Sequence, residues 1–154
     1  MPDRIDICRI GRALHRGRPT DARAPILFGE SYGAYLALLA AGHRPDLWSG
    51  CVAVAPFLSG DRLHAEASPM MRAAVERLGG RGGADVLTVA RRIHGPLLVV
   101  HGDQDPTVPV GQSRALHHHL RRPGHARLEY VEVAGAGHDP LATAPEPLTR
   151  FLAA

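Results

Sequence analysis

The sequence predicts an α/β fold in one domain, a doubly wound parallel sheet with helices on its faces. Three observations predict it. Short apolar runs recur at Ile26-Leu27-Phe28, Cys51 to Ala55, Pro96 to Val100 and Leu128 to Val133. Stretches with helical spacing or turn residues separate them, the alternation from which parallel sheets are built. No internal repeat or low-complexity linker divides the 154 residues. A chain of that length buries roughly 70% of the surface its unfolded form exposes, enough for one core.

Taken in order, the elements have individual reasons. Ile7, Ile10, Ala13 and Leu14 share a helical face within Arg4 to His15, and the Gly17 to Pro25 stretch is turn-rich. The Ile26 to Phe28 strand leads into a helix from Tyr32 to Gly42, apolar on most sides and stopped by Gly42 and Pro45. A second strand follows at Cys51 to Ala55. Ser68-Pro69 provides an N-cap and a first helical residue, Met71, Val75 and Leu78 form a stripe, and Gly79-Gly80 ends it. Residues 59–83 thus read as a short insertion carrying one helix. A third strand, Pro96 to Val100, is followed by a helix from about Val110 to Leu120. The Leu128 to Val133 strand, with Glu129 and Glu132 at solvent or edge positions, precedes a closing helix with Leu148, Phe151 and Leu152 on one face.

The chemistry sits at the strand ends. Gly29-Glu30-Ser31-Tyr32-Gly33 lies between a strand and a buried helix, where a sharp turn pushes a serine hydroxyl out at the carboxyl end of the strand. Glycine on either side of Ser31 is expected because the turn closes too tightly for a Cβ. The following helix aims its first N–H groups at developing negative charge, with the backbone N–H of Tyr32 as oxyanion donor. His101 to Pro109 leaves another strand end and carries Asp105, with Asp103 as the rival acid; Ala134 to His138 leaves the last strand and carries His138. Ser31, Asp105 and His138 are therefore the candidate nucleophile, acid and base.

These motifs, together with Arg44-Pro45-Asp46-Leu47-Trp48 leading into Val52-Ala53-Val54-Ala55-Pro56, His101-Gly102-x-x-Asp105-x-x-Val108-Pro109 and Gly137-His138, resemble the carboxyl-terminal part of an α/β-hydrolase. The match runs from about Pro25 to the end and is most similar to the catalytic domain of the prolyl oligopeptidase family of serine peptidases. The resemblance implies the order serine, acid, histidine and an acyl-enzyme mechanism on a peptide, amide or ester bond, with a peptidase favoured over an esterase or thioesterase. It implies no cofactor and a small-molecule or peptide substrate. Four strands resemble the last four of eight. The strands expected before Pro25, and the loop for the second oxyanion donor, have no counterpart upstream of Ser31. The alternative is a non-catalytic or truncated hydrolase-like subunit needing a second chain, and the partner expectation is self-association or pairing with a missing amino-terminal segment.

Composition narrows the rest. The formal charge of +3 comes from scattered arginines, with no lysine and only 5% aromatics, which argues against a nucleic-acid surface. No apolar segment approaches the ~18 to 20 residues of a membrane span, and Met1 to Ile10 lacks a signal-peptide core, so a cytoplasmic protein is expected. Cys8 and Cys51 have no metal or disulfide spacing, and Cys51 reads as a buried small hydrophobe. His117-His118-His119 reads as a solvated helix face, since consecutive helical side chains diverge by about 100° and cannot meet on one ion. No metal site is expected. The competing role for Asp105 is a turn cap; His101 packs or hydrogen-bonds at the strand end, near enough to Asp105 to support it; Tyr32 and Tyr35 are core or pocket wall, Trp48 packs beneath the Leu47 turn, and Met70 and Met71 fill the core in preference to forming a substrate wall.

Overall fold

The computed structural model describes Arg9, Ala13 and residues 24–122, 125 and 127–154. Arg9 and Ala13 are both helical; the rest of the helix expected over Arg4 to His15, the connection from Gly17, and Cys8 lie outside the described residues. Four strands form one parallel sheet in the order β1-β2-β3-β4: β1 (Ile26–Glu30), β2 (Gly50–Val54), β3 (Leu97–Gly102) and β4 (Leu128–Val133). Parallel pairing requires each crossover to return to the same sheet end. The helices between strands supply those returns: α1 (Tyr32–His43), α2 (Gly60–Glu66) and α3 (Pro69–Arg77), and α4 (Gly111–Arg121); α5 (Pro140–Thr143) and α6 (Glu146–Ala153) follow the last strand.

Alternation along the strands assigns the two faces. Leu27, Cys51, Ala53, Leu97 and Val99 meet α1 residues and Leu116 and Leu120 of α4 in the larger core. Val52, Val54, Leu98, Val100 and Val133 form the second, against which Leu148 and Phe151 of α6 pack. Helix α1 buries every residue from Ala34 to Gly42, as its apolar circumference demands. Burial pushes the Cys51 thiol up to about 12, so it is an inert packing group.

Several expectations change. The insertion holds two helices, not one: Ser59 Oγ accepts from Arg62 N and starts α2, and Ser68 Oγ accepts from Met71 N and starts α3. Of the stripe on α3, Val75 is buried and Met71 packs on the core, but Leu78 is exposed, because it forms the C-cap of the helix rather than lying within it. Met70 does not fill the core; it is 77% exposed. Leu152 is likewise exposed, so only Leu148 and Phe151 make the packed face of α6. Among His117, His118 and His119, only the middle one is exposed, and His117 packs against Tyr130 at 4.5 Å between ring centroids with the rings tilted by 32°. Trp48 packs against the core beside Leu47 as expected.

Candidate active site

All four strands run the same way, so Ser31 after β1, Ala55 after β2, Asp105 after β3 and His138 after β4 leave one end of the sheet. Ligands of open α/β sheets bind outside that carboxyl end. Ser31 has φ of 51° and ψ of −116°, a left-handed backbone that a side-chain-bearing residue adopts only under constraint. Two hydrogen bonds supply the constraint: Ser31 N donates to Val54 O at 2.8 Å, and Ser31 O accepts from Tyr35 N at 3.1 Å. The Ser31 hydroxyl makes no capping bond to α1, although serine at that position ordinarily does.

The two glycines of the turn are not equivalent. A Cβ on Gly29 would collide with the backbone carbonyl of Gly33 and come within 2.7 Å of Ala34 N, whereas a Cβ on Gly33 would meet nothing within 4 Å. The expectation that both flanks of Ser31 exclude a Cβ thus holds only for Gly29. The strand end must let the first turn of α1 lie on it; Gly33 itself faces open space.

Asp105 and His138 are joined directly. The Asp105 side chain is fully buried, and His138 Nδ1 donates to its Oδ2 at 2.8 Å. The other oxygen, Oδ1, accepts from Thr107 N at 2.8 Å and Val108 N at 2.9 Å. Asp105 is therefore a turn cap and a histidine partner at once, one role for each oxygen. Burial alone would push its carboxyl up, but the bonds from His101, His138, Val108 and Thr107 outweigh it and hold the group down at about 2. With Nδ1 donating to an ionised carboxylate, Nε2 of a neutral His138 is an acceptor, and the ring is 36% exposed. Among the described residues no hydrogen bond joins Ser31 Oγ to His138. Asp103, the rival acid, is occupied elsewhere: its Oδ1 accepts from Gly135 N at 2.7 Å and braces the loop that carries His138.

Two features here, the close approach at Gly102 and the place of Phe57, lay beyond the sequence, whereas His101 was expected to pack or hydrogen-bond at the strand end near Asp105 and does so. A Cβ on Gly102 would strike the carbonyls of Ala136 and Gly137, so only glycine lets the histidine loop lie across the end of β3. His101 is completely buried and reaches both Asp105 and Ser113. Phe57 stacks on Tyr35 at 4.8 Å and lies 6.2 Å from Tyr32, making an aromatic wall beside Ser31 whose outer member, Tyr32, is 40% exposed. Of the two tyrosines, then, Tyr35 is core and Tyr32 is surface. The chain-remote position of Phe57 left no motif to find it by. Among the described residues no cluster of His, Cys, Asp and Glu has the arrangement of a metal site, and no helix is long and apolar enough to cross a membrane.

The model of the prolyl oligopeptidase family matches residues 3–148. Esterase LipQ of Mycobacterium tuberculosis is 31% identical over 131 residues, covering 71% of this chain and 31% of that protein. Esterase LipC of the same organism is 42% identical over 43 residues, 28% of this chain and 11% of that one. The chain thus spans about a third or less of the length of these curated relatives. Among solved structures, the Pyrococcus horikoshii acylaminoacyl peptidase superposes with a TM-score of 0.72 at 18% identity, covering 92% of this chain and 24% of that one. The acetyl xylan esterase of Paenibacillus sp. R4 superposes with a TM-score of 0.75 at 24% identity, covering 97% and 51%. Both likenesses concern the fold, which is that of the α/β-hydrolases.

Proposed function

The chain belongs to the prolyl oligopeptidase family of serine hydrolases, and from that premise we propose that Ser31, His138 and Asp105 hydrolyse a carboxylic ester or amide through an acyl-enzyme. The observation that carries the reading is the 2.8 Å bond from His138 Nδ1 to a buried, ionised Asp105 at the sheet end where Ser31 stands in a constrained turn. His138 Nε2 takes the Ser31 hydroxyl proton as Oγ bonds to the substrate carbonyl carbon, and the carbonyl pair moves onto oxygen. The helix ladder of α1 begins with Tyr35 N donating to Ser31 O, so the amide of Tyr32 lies ahead of it at the positive end of the dipole and serves as oxyanion donor. Collapse of the intermediate expels the alkoxide or amine, which receives the proton from His138. Water then attacks the acyl-enzyme, its proton passing to His138, and Ser31 leaves with that proton as the carboxylic acid departs.

The preference for a peptide substrate broadens here. The family description and the acylaminoacyl peptidase favour an amide, but the curated relatives are named esterases, so an ester stands equally as substrate. A fluorophosphonate probe tests the nucleophile: the native chain is labelled at Ser31, and Ser31→Ala is not. Equal labelling of the variant would overturn the assignment, and no labelling of a folded native chain would favour a non-catalytic subunit. Parallel turnover of p-nitrophenyl acetate and an acyl-dipeptide p-nitroanilide then separates ester from amide preference.

A further inference from the structure

His101 is the one completely buried histidine of the described residues, and the mechanism just proposed does not use it. It sits near the carboxyl end of β3, and each ring nitrogen has a partner. Nδ1 lies 2.6 Å from Ser113 Oγ in the first turn of α4. Nε2 lies 2.9 Å from Val108 O and 3.2 Å from Asp105 Oδ2, the same carboxylate oxygen that receives His138 Nδ1. A carbonyl and an ionised carboxylate only accept, so Nε2 must carry a hydrogen and share it between them. In the neutral ring Nδ1 is then the acceptor, and the Ser113 hydroxyl donates to it.

We propose that His101, fixed in its tautomer by Ser113, is a positioning residue that acts on His138 through Asp105. The inference rests on the triad reading above and deepens it. Asp105 Oδ2 has two histidine donors, one at 2.8 Å and one at 3.2 Å, and every donation to the carboxylate disperses the charge that attracts the His138 ring. The donation from Ser113 polarises the His101 ring and strengthens its Nε2–H as a donor. His101 and Ser113 therefore set how strongly Asp105 favours a protonated His138, which decides the pH above which His138 is the free base. The other charged groups facing His101 are Glu132, its register neighbour on β4, and Arg114 of α4, which is tied to Glu132 at 2.7 Å; the β2 side of this strand end, at Val54 and Ala55, is apolar.

The test uses the whole chain with a fluorophosphonate and follows the labelling rate of Ser31 against pH in the native protein, His101→Leu, His101→Gln and Ser113→Ala. Removing the donor in His101→Leu concentrates charge on Asp105, favours the His138 cation, and moves the acid limb of the profile to higher pH by about half a unit, about threefold in rate on that limb. His101→Gln places an amide N–H near the position of Nε2 and restores the limb. Ser113→Ala moves it in the same direction by less, and decides the matter if His101→Leu does not fold. A readout independent of reactivity is the ring N–H proton resonance of His138 bonded to Asp105, which shifts in His101→Leu and returns in His101→Gln. A resonance that shifts in a protein never labelled at Ser31 would sustain this inference and overturn the hydrolase reading. A folded, labelled set of variants with unmoved limb and unmoved resonance would overturn this inference alone.

Discussion

At Ser31, the proposed nucleophile, the constraint lies in the backbone: a left-handed φ of 51° is held by Val54 O and Tyr35 N on either side while the hydroxyl stays out of the helix cap. Residues of one proton-transfer unit are strongly non-additive, so His138→Ala should cut ester turnover as deeply as Ser31→Ala, on the order of 10³-fold or more. Asp105→Asn, which disturbs the His138 tautomer, should cost on the order of 10² to 10⁴-fold in kcat. Asp103→Asn keeps an acceptor for Gly135 N and should leave kcat within about threefold, so steady-state kinetics on the two variants separates the acids. Asp105 also makes a stability prediction. Its carboxyl falls from an ordinary 3.8 to about 2 on folding, so the contribution is fully present above about pH 4 and is lost as pH falls through about 2. Urea melts of the native chain and Asp105→Asn should therefore converge in their pH dependence by about 2 kcal/mol across that window, and parallel curves would contradict the assignment.

Elements were legible where their periodicity was strong. The last strand was read at the residues it occupies, Leu128 to Val133, and the helix after Ser31 within one residue, because a strand between turns and an all-apolar helix leave a plain pattern. Helix α2 was missed for the opposite reason: over Gly60–Glu66 it buries only Gly60 and Leu63, too little for a stripe, and its signal was the Ser59 cap. The nearness of Asp105 and His138 was legible from their places after strands, but other links between loops were not, since Gly102 against Ala136 and Gly137, or His101 against Ser113, join residues that no local motif connects. The turn glycines show the same limit, and they predict an asymmetry. Gly29→Ala must displace the first turn of α1 and should lower Tm severely or prevent folding, whereas Gly33→Ala enters open space near a helix start and should change stability by no more than about 1 kcal/mol. Gly102→Ala should leave a folded protein in which the His138 loop has shifted, with fluorophosphonate labelling slowed while the far-ultraviolet circular dichroism is kept; unchanged labelling would show that the close approach is not needed.

On the scale of the whole molecule, the decisive feature is the side of β1 away from β2. Among the described residues β1 pairs only with β2, and its alternation leaves Ile26 and Phe28 exposed, the latter at 51%, on the face that α6 covers farther along the sheet. A strand presenting one row of N–H and C=O groups beside apolar side chains is a template for another strand. Helix α1 lies on the opposite face through Leu27, and a helix packed on a face does not satisfy hydrogen bonds at an edge. The 154-residue chain should therefore elute from a sizing column above its 16.5 kDa mass, through pairing of β1 with a second chain. Charge placed in this strand should oppose that pairing, so Phe28→Lys is expected to shift elution toward the monomer while Ser31 remains open to the probe. The Tyr32 amide is the oxyanion donor proposed among the described residues, and one such donor is worth on the order of 3 to 4 kcal/mol of transition-state stabilisation, so a partner strand that brought a second would raise p-nitrophenyl acetate turnover. A monodisperse monomer with ordinary serine-hydrolase turnover would show that β1 needs no partner strand and that the site already holds its full set of donors.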